Sequence, residues 1–195
     1  MPRARPELVS LDYPARSPGR PWKSLEALAL VAGLRTPAFD TIAATSLLVD
    51  YLERRDDVAR DRVVLIGGSL RAAAVTVAGA IDPRPAAVVT LYGGGALGSL
   101  VTHTLEHPAQ DVAYTHWQAT IVGHGLAWLL TPLEPASYAP RIAPRPFSMI
   151  NAADDTLVPR ANVLALYEAA SEPKELIWAA GEHVQPSESR VLPRP

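Results

Sequence analysis

Three residues far apart in the chain, Ser69, Asp155 and His183, are of the types that together perform nucleophilic acyl chemistry. A serine hydroxyl attacks poorly until an imidazole takes its proton. The imidazole does so best when a carboxylate holds its other nitrogen in the donor tautomer. Ser69 stands in Gly67-Gly68-Ser69-Leu70-Arg71, Asp155 in Ala153-Asp154-Asp155-Thr156-Leu157-Val158-Pro159, and His183 in Gly181-Glu182-His183-Val184. Each also has a plain reading: Ser69 as a helix N-cap, Asp154 or Asp155 as the cap of the next helix, and His183 as a structural or exposed histidine. The chain has no cysteine, which removes thiolate nucleophiles, thiolate metal sites and disulfides together.

The segments around these residues alternate between two periodicities. Arg62–Gly67 is a short continuous apolar run suited to a buried parallel strand, broken at Gly67-Gly68-Ser69, and the Ala/Val-rich Arg71–Ile81 then reads as a helix. Ala86–Tyr92 is a second apolar run after Asp82-Pro83. Pro146–Asn151 is a third, Ala161–Ser171 a helix, and Glu175–Ala179 a last strand. Upstream, Glu7–Tyr13 reads as a strand, and Pro37–Arg55 as a helix with Thr36 as N-cap and Pro37 in its first turn. The stretch at about 96–140 holds four of the five histidines, two tryptophans and Pro punctuation, and is read as a helical insert or lid.

These elements predict an α/β domain spanning 1–195, with a mainly parallel sheet of about five strands, helices on both faces and a helical insert. In such a sheet, functional groups gather beyond the carboxyl ends of the strands. Ser69, Asp155 and His183 all fall in loops of that kind. Gly67 and Gly68 would allow the sharp turn that exposes a serine hydroxyl between strand and helix, and the helix start would aim backbone N–H groups at developing negative charge.

The order serine, acid, histidine is the one α/β hydrolases use. The sequence resembles the dienelactone-hydrolase-like and esterase-like branch of that superfamily in RVVLIGGSL, AADDTLVP and GEHV, with FDTIAATSLLVDYLE and PRPF beside them, over roughly Glu7 to Pro186. The resemblance implies an ester-cleaving serine hydrolase without a cofactor. Ser69 would be the nucleophile, His183 the base, Asp155 the orienting acid, Leu70 N–H an oxyanion donor, and Gly67 and Gly68 the elbow glycines. It favours Asp155 over Asp154 by the spacing to Val158-Pro159.

The sequence departs from the family in two places. Arg71 stands where the elbow normally carries a second glycine. The strands that usually open the family's sheet, one with an HGGG-like loop that supplies a further oxyanion donor, have no counterpart, and the chain stops soon after His183. On this reading the chain is a truncated relative, or one that keeps the fold as a binding protein with weak or no catalysis. An uncovered strand edge would invite a homodimer.

A zinc-peptidase reading starts from His103-Thr104-Leu105-Glu106-His107, an H-x-x-E-H pattern, with Glu172, Glu175 or Glu182 as third ligand. It is the lesser one, because Pro108 ends the helix at once and no third ligand faces the pair; no metal site is expected. Trp117, Trp128 and Tyr138 read as ordinary core, or as the wall of an acyl pocket. Acids and bases nearly cancel at a net charge of -2, so no field favours nucleic acid or an anionic membrane, and no window reaches the length of a membrane span. The expected partner is a small-molecule ester, and the expected location is the cytoplasm, since no secretory signal opens the chain.

Overall fold

The computed structural model describes residues 7–10, 24–107 and 115–183. Four strands, β1 (Val64–Gly68), β2 (Ala87–Leu91), β3 (Phe147–Ala152) and β4 (Lys174–Ala179), form one parallel sheet in the order β1-β2-β3-β4. Chain order equals spatial order, so each link is a crossover that returns the chain to the same end of the sheet and delivers every strand's carboxyl end to one rim. The register carries Gly67, Thr90, Met149 and Leu176 in one row.

The helices are α1 (Ser24–Glu53), α2 (Leu70–Ile81), α3 (Leu97–Glu106), α4 (His116–Leu130) and α5 (Arg160–Ala169). One apolar core joins α1, α2 and α5 to the strand side chains that point their way. Leu65, Val88, Phe147 and Met149 lie on that face, against Ile42, Val49, Val75, Val77, Val163 and Leu166. Burying these side chains is the main force that holds the layers together. Gly79 marks the closest helix–strand approach, because a Cβ there would meet Val88 Cγ2 at 2.4 Å.

The expected class forms: a parallel α/β sheet flanked by helices, with the insert at Leu97–Ile142 built from α3, α4 and three short 3-10 turns. Two expectations change. Residues 7–10 are exposed and belong to no strand, and 11–13 lie outside the described residues, so the described sheet has four strands rather than about five. An apolar alternation becomes a strand only when a neighbour completes its hydrogen-bond ladder. The second change is in α1, which begins at Ser24 and passes through Pro37, so Thr36 caps nothing. Ser24–Leu34 is rich in Leu and Ala, which favour helix on both sides of the break. Pro37 has no N–H for the carbonyl of Gly33, but Gly33 is exposed, where water can serve that carbonyl.

Two arginines fasten the core layer. Arg84 donates to Asp82 (2.6 and 2.9 Å), Asp50 (2.6 Å) and Glu53 (2.8 Å), joining the segment before β2 to the end of α1. Arg145 donates to the carbonyls of Gly79 (2.6 Å) and Asp82 (3.0 Å), satisfying orphan groups at the end of α2. The Arg84 hydrogen bonds hold the Asp82 carboxyl below its ordinary 3.8. A carboxyl whose folded pKa is depressed adds stability above its unfolded pKa and loses it as pH falls through the folded value. Denaturation midpoints taken from pH ~6 down to ~2 should therefore fall on acidification, and fall less steeply in Arg84→Met, which also starts from a lower midpoint.

Candidate active site

Ser69 occupies the sharp step from β1 into α2 with φ 53° and ψ −121°. A non-glycine residue in this region costs on the order of 1–2 kcal/mol and persists only where its surroundings enforce it. They do: its N–H donates to Leu91 O at 2.7 Å, and its carbonyl accepts the Ala72 N–H at 2.9 Å. The hydroxyl makes no capping bond, so the N-cap reading of Ser69 is set aside. Instead Ser69 Oγ lies 3.0 Å from His183 Nε2.

His183 sits just past the Gly181 turn that follows β4, where Gly181 takes φ 104°. Its Nδ1 is 2.7 Å from Asp155 Oδ2. The other carboxylate oxygen, Asp155 Oδ1, accepts the N–H groups of Leu157 (2.8 Å) and Val158 (2.9 Å). Asp155 therefore does not cap α5, whose N-cap position is Pro159. Three donors thus surround this one carboxylate. The side chains of His183 and Asp155 are 6% and 2% exposed, so water competes little for their bond, while Ser69 faces solvent. With Nδ1–H given to the carboxylate, Nε2 is left to accept the serine proton.

The three separated loops thus meet at the carboxyl rim of the sheet. Gly67 lets them: a Cβ there would stand 2.6 Å from Arg71 O and 2.8 Å from Val75 Cγ2, so α2 can start this close to β1 only over glycine. Arg71 is exposed, and its bulk is carried outside the turn. Leu70 opens α2, and its N–H is among the four helix-start donors without an intrahelical acceptor, beside the Ser69 hydroxyl.

Sequence reasoning missed the wall behind His183. The Tyr92 ring packs on the imidazole with centroids 5.0 Å apart, and Tyr92 itself has φ 55°. After it, Gly93-Gly94-Gly95 passes close to α2 and α5, where Gly93 and Gly95 carbonyls accept from Asn151 Nδ2 and Asn162 Nδ2 (2.8 Å each). Glu134 accepts the N–H groups of Ala96 (3.0 Å) and Leu97 (2.8 Å) and so fixes the start of α3. The signal was present in three consecutive glycines directly after a strand, a sign of close backbone approach.

The zinc-peptidase residues are used otherwise. His103 Nε2 contacts Thr156 O at 2.9 Å, His107 Nδ1 contacts His103 O at 3.1 Å, and Glu106 pairs with His116. Among the described residues no group of three or more His, Asp or Glu side chains gathers as metal ligands, so the third ligand sought in Glu172, Glu175 or Glu182 is not supplied. Trp117 and Trp128 are exposed rather than core, whereas Tyr138 packs on the core and donates to Pro132 O at 2.9 Å.

No protein-family model matches the sequence, and no curated protein does. Solved structures do. The esterase domain of a Rhodothermus marinus protein matches with a TM-score of 0.51 and 21% identity over 73% of this chain and 60% of its own. The α/β hydrolase GrgF from Penicillium sp. sh18 gives 0.55 and 16% over 75% and 65%. Acetyl xylan esterase 1 from Thermoanaerobacterium gives 0.52 and 17% over 75% and 48%. The chain spans less than two thirds of each of these proteins, and what it shares with them at such identities is architecture: it has an α/β-hydrolase fold.

Gly67→Ala should lower stability by about 1–3 kcal/mol, the usual cost of overpacking against backbone. Urea denaturation measures it, and an unchanged midpoint would show that β1 and α2 are less tightly apposed than described.

Proposed function

We propose that the chain is a serine hydrolase that cleaves carboxylic esters through an acyl-enzyme, with Ser69 as nucleophile, His183 as general base and acid, and Asp155 as the group that orients His183. The observation that carries this is the continuous hydrogen-bond path from Ser69 Oγ through His183 (3.0 and 2.7 Å) to a carboxylate held by two backbone N–H groups. The hydrolase fold and the esterases among its structural neighbours support it.

The reaction follows from the geometry. As Ser69 Oγ attacks the ester carbonyl, His183 Nε2 takes its proton, and the ionised Asp155 stabilises the resulting imidazolium without taking a proton itself. The carbonyl oxygen becomes an oxyanion beside the Leu70 N–H. Collapse of the tetrahedral species expels the alcohol, which His183 protonates. A water molecule then enters, gives a proton to Nε2 and attacks the acyl-serine; the tetrahedral species collapses as Nε2 passes that proton to Ser69 Oγ, releasing the acid and restoring Ser69.

Leu70 is the one oxyanion donor the described residues assign, and lacking a second lowers turnover by about 100- to 1000-fold. That observation favours a second reading, a fold-retaining binding protein. The two separate cleanly. A fluorophosphonate probe should label the parent protein and leave Ser69→Ala unlabelled, and p-nitrophenyl acetate hydrolysis should be slow but lost with Ser69. Asp155→Asn, which keeps the shape and removes the charge, should lower kcat by on the order of 10⁴-fold. A parent protein that neither labels nor turns over ester would establish the binding-protein reading instead.

A further inference from the structure

α4 carries an exposed apolar strip that the core does not use. Trp117, Ile121 and Trp128 are 64%, 66% and 75% exposed, and their spacing of four and seven residues puts them on one side of the helix, which exposed His124, with Nδ1 2.9 Å from Thr120 O, shares as the strip's one ionisable side chain. The opposite side packs on α3. There a Cβ at Gly123 would meet Thr102 Oγ1 at 2.3 Å, Gly98 faces Ala127, and Ala119 is fully buried. The helix sequence HWQATIVGHGLAWLL contains no Asp, Glu, Lys or Arg.

Other exposed aromatic rings among the described residues differ. Arg35 lies over Phe39 and Arg55 over Tyr51, so the exposed rings of α1 sit among charges. Among the described residues no cation lies over Trp117 or Trp128.

We propose that this strip of α4 lies on a neutral or zwitterionic lipid surface and brings the site to esters held there. Indole rings favour the boundary between hydrocarbon and water, where one edge is apolar and the N–H stays wet. A helix lying in that boundary usually has a cationic polar face; here the reverse face is packed on α3, so none is required, and the absence of Lys and Arg selects uncharged over anionic lipid. Lying on a surface needs neither a membrane span nor net positive charge, the two features whose lack argues against membrane partners in the sequence.

A second protein copy fits less well. The strip from Trp117 to Trp128 is about 16 Å long and roughly 10 Å wide, on the order of 200 Å², against the ~800 Å² per partner of a stable interface. The strip is also coupled to the site. α4 packs on α3, and α3 holds the acid loop through His103 Nε2 and Thr156 O (2.9 Å), one residue from Asp155. Leu70 and Leu157, beside Ser69 and Asp155 in the chain, are exposed apolar residues at the rim itself.

The substrate class in this proposal, a poorly soluble acyl ester, rests on the hydrolase reading; the surface binding does not. The test is therefore sedimentation of the full chain with phosphatidylcholine vesicles, using the Ser69→Ala protein so that no turnover intervenes. Binding with a blue shift of tryptophan fluorescence, insensitive to salt, and weakened at least tenfold in Trp117→Gln/Trp128→Gln is expected. No binding, binding that the double variant retains, or binding only to phosphatidylserine vesicles at low salt would overturn it. So would light scattering that shows a dimer abolished by the same substitutions. Hydrolysis of soluble p-nitrophenyl acetate by the parent, measured separately, reports on the hydrolase reading alone.

Discussion

The hydrogen bond between His183 Nδ1 and Asp155 Oδ2 is the contact on which the geometry of the candidate site, and the chemistry proposed for it, depends. It closes a loop between the turn after β3 and the turn after β4, and sets which imidazole nitrogen faces Ser69. Each partner is prepared by its own segment. Two N–H groups of the acid loop hold the carboxylate, and the Tyr92 ring backs the imidazole. Both side chains are nearly dry, which strengthens an ionic hydrogen bond and makes an unpartnered member costly.

The parallel sheet supplies the common rim, but it does not by itself aim the serine. That falls to strain and to small residues. Ser69 and Tyr92 both take left-handed backbone angles, at the ends of neighbouring strands, and the glycines beside them allow helices to pass at distances that a Cβ would forbid. Stability spent at these turns is recovered in the apolar layer beneath α1, α2 and α5 and in the arginine clamps of Arg84 and Arg145.

Much of this was legible in the residues. RVVLIGG, AAVVTLY, PFSMIN and ELIWA read as strands because each is a short apolar run closed by Gly, Pro or a polar turn, and all four form. That Ser69, Asp155 and His183 meet at one rim was expected because residue type, chain order and loop position agreed. What misled was local: residues 7–10, read as the start of a strand, are exposed and unpaired in the described sheet, and Pro37 looked like a helix start although the Ala/Leu-rich stretch before it carries the helix through. The tryptophans of α4 misled for a different reason. Periodicity gives the side of a helix on which a residue lies, and only packing tells whether that side meets the core.

The contact between His183 and Asp155 can be observed directly. Proton NMR should show a slowly exchanging downfield imidazole N–H that persists in Ser69→Ala and vanishes in Asp155→Ala and His183→Ala. A spectrum in which that resonance is absent from the parent protein, or survives removal of the Asp155 carboxylate, would contradict the arrangement from which the proposed chemistry is built.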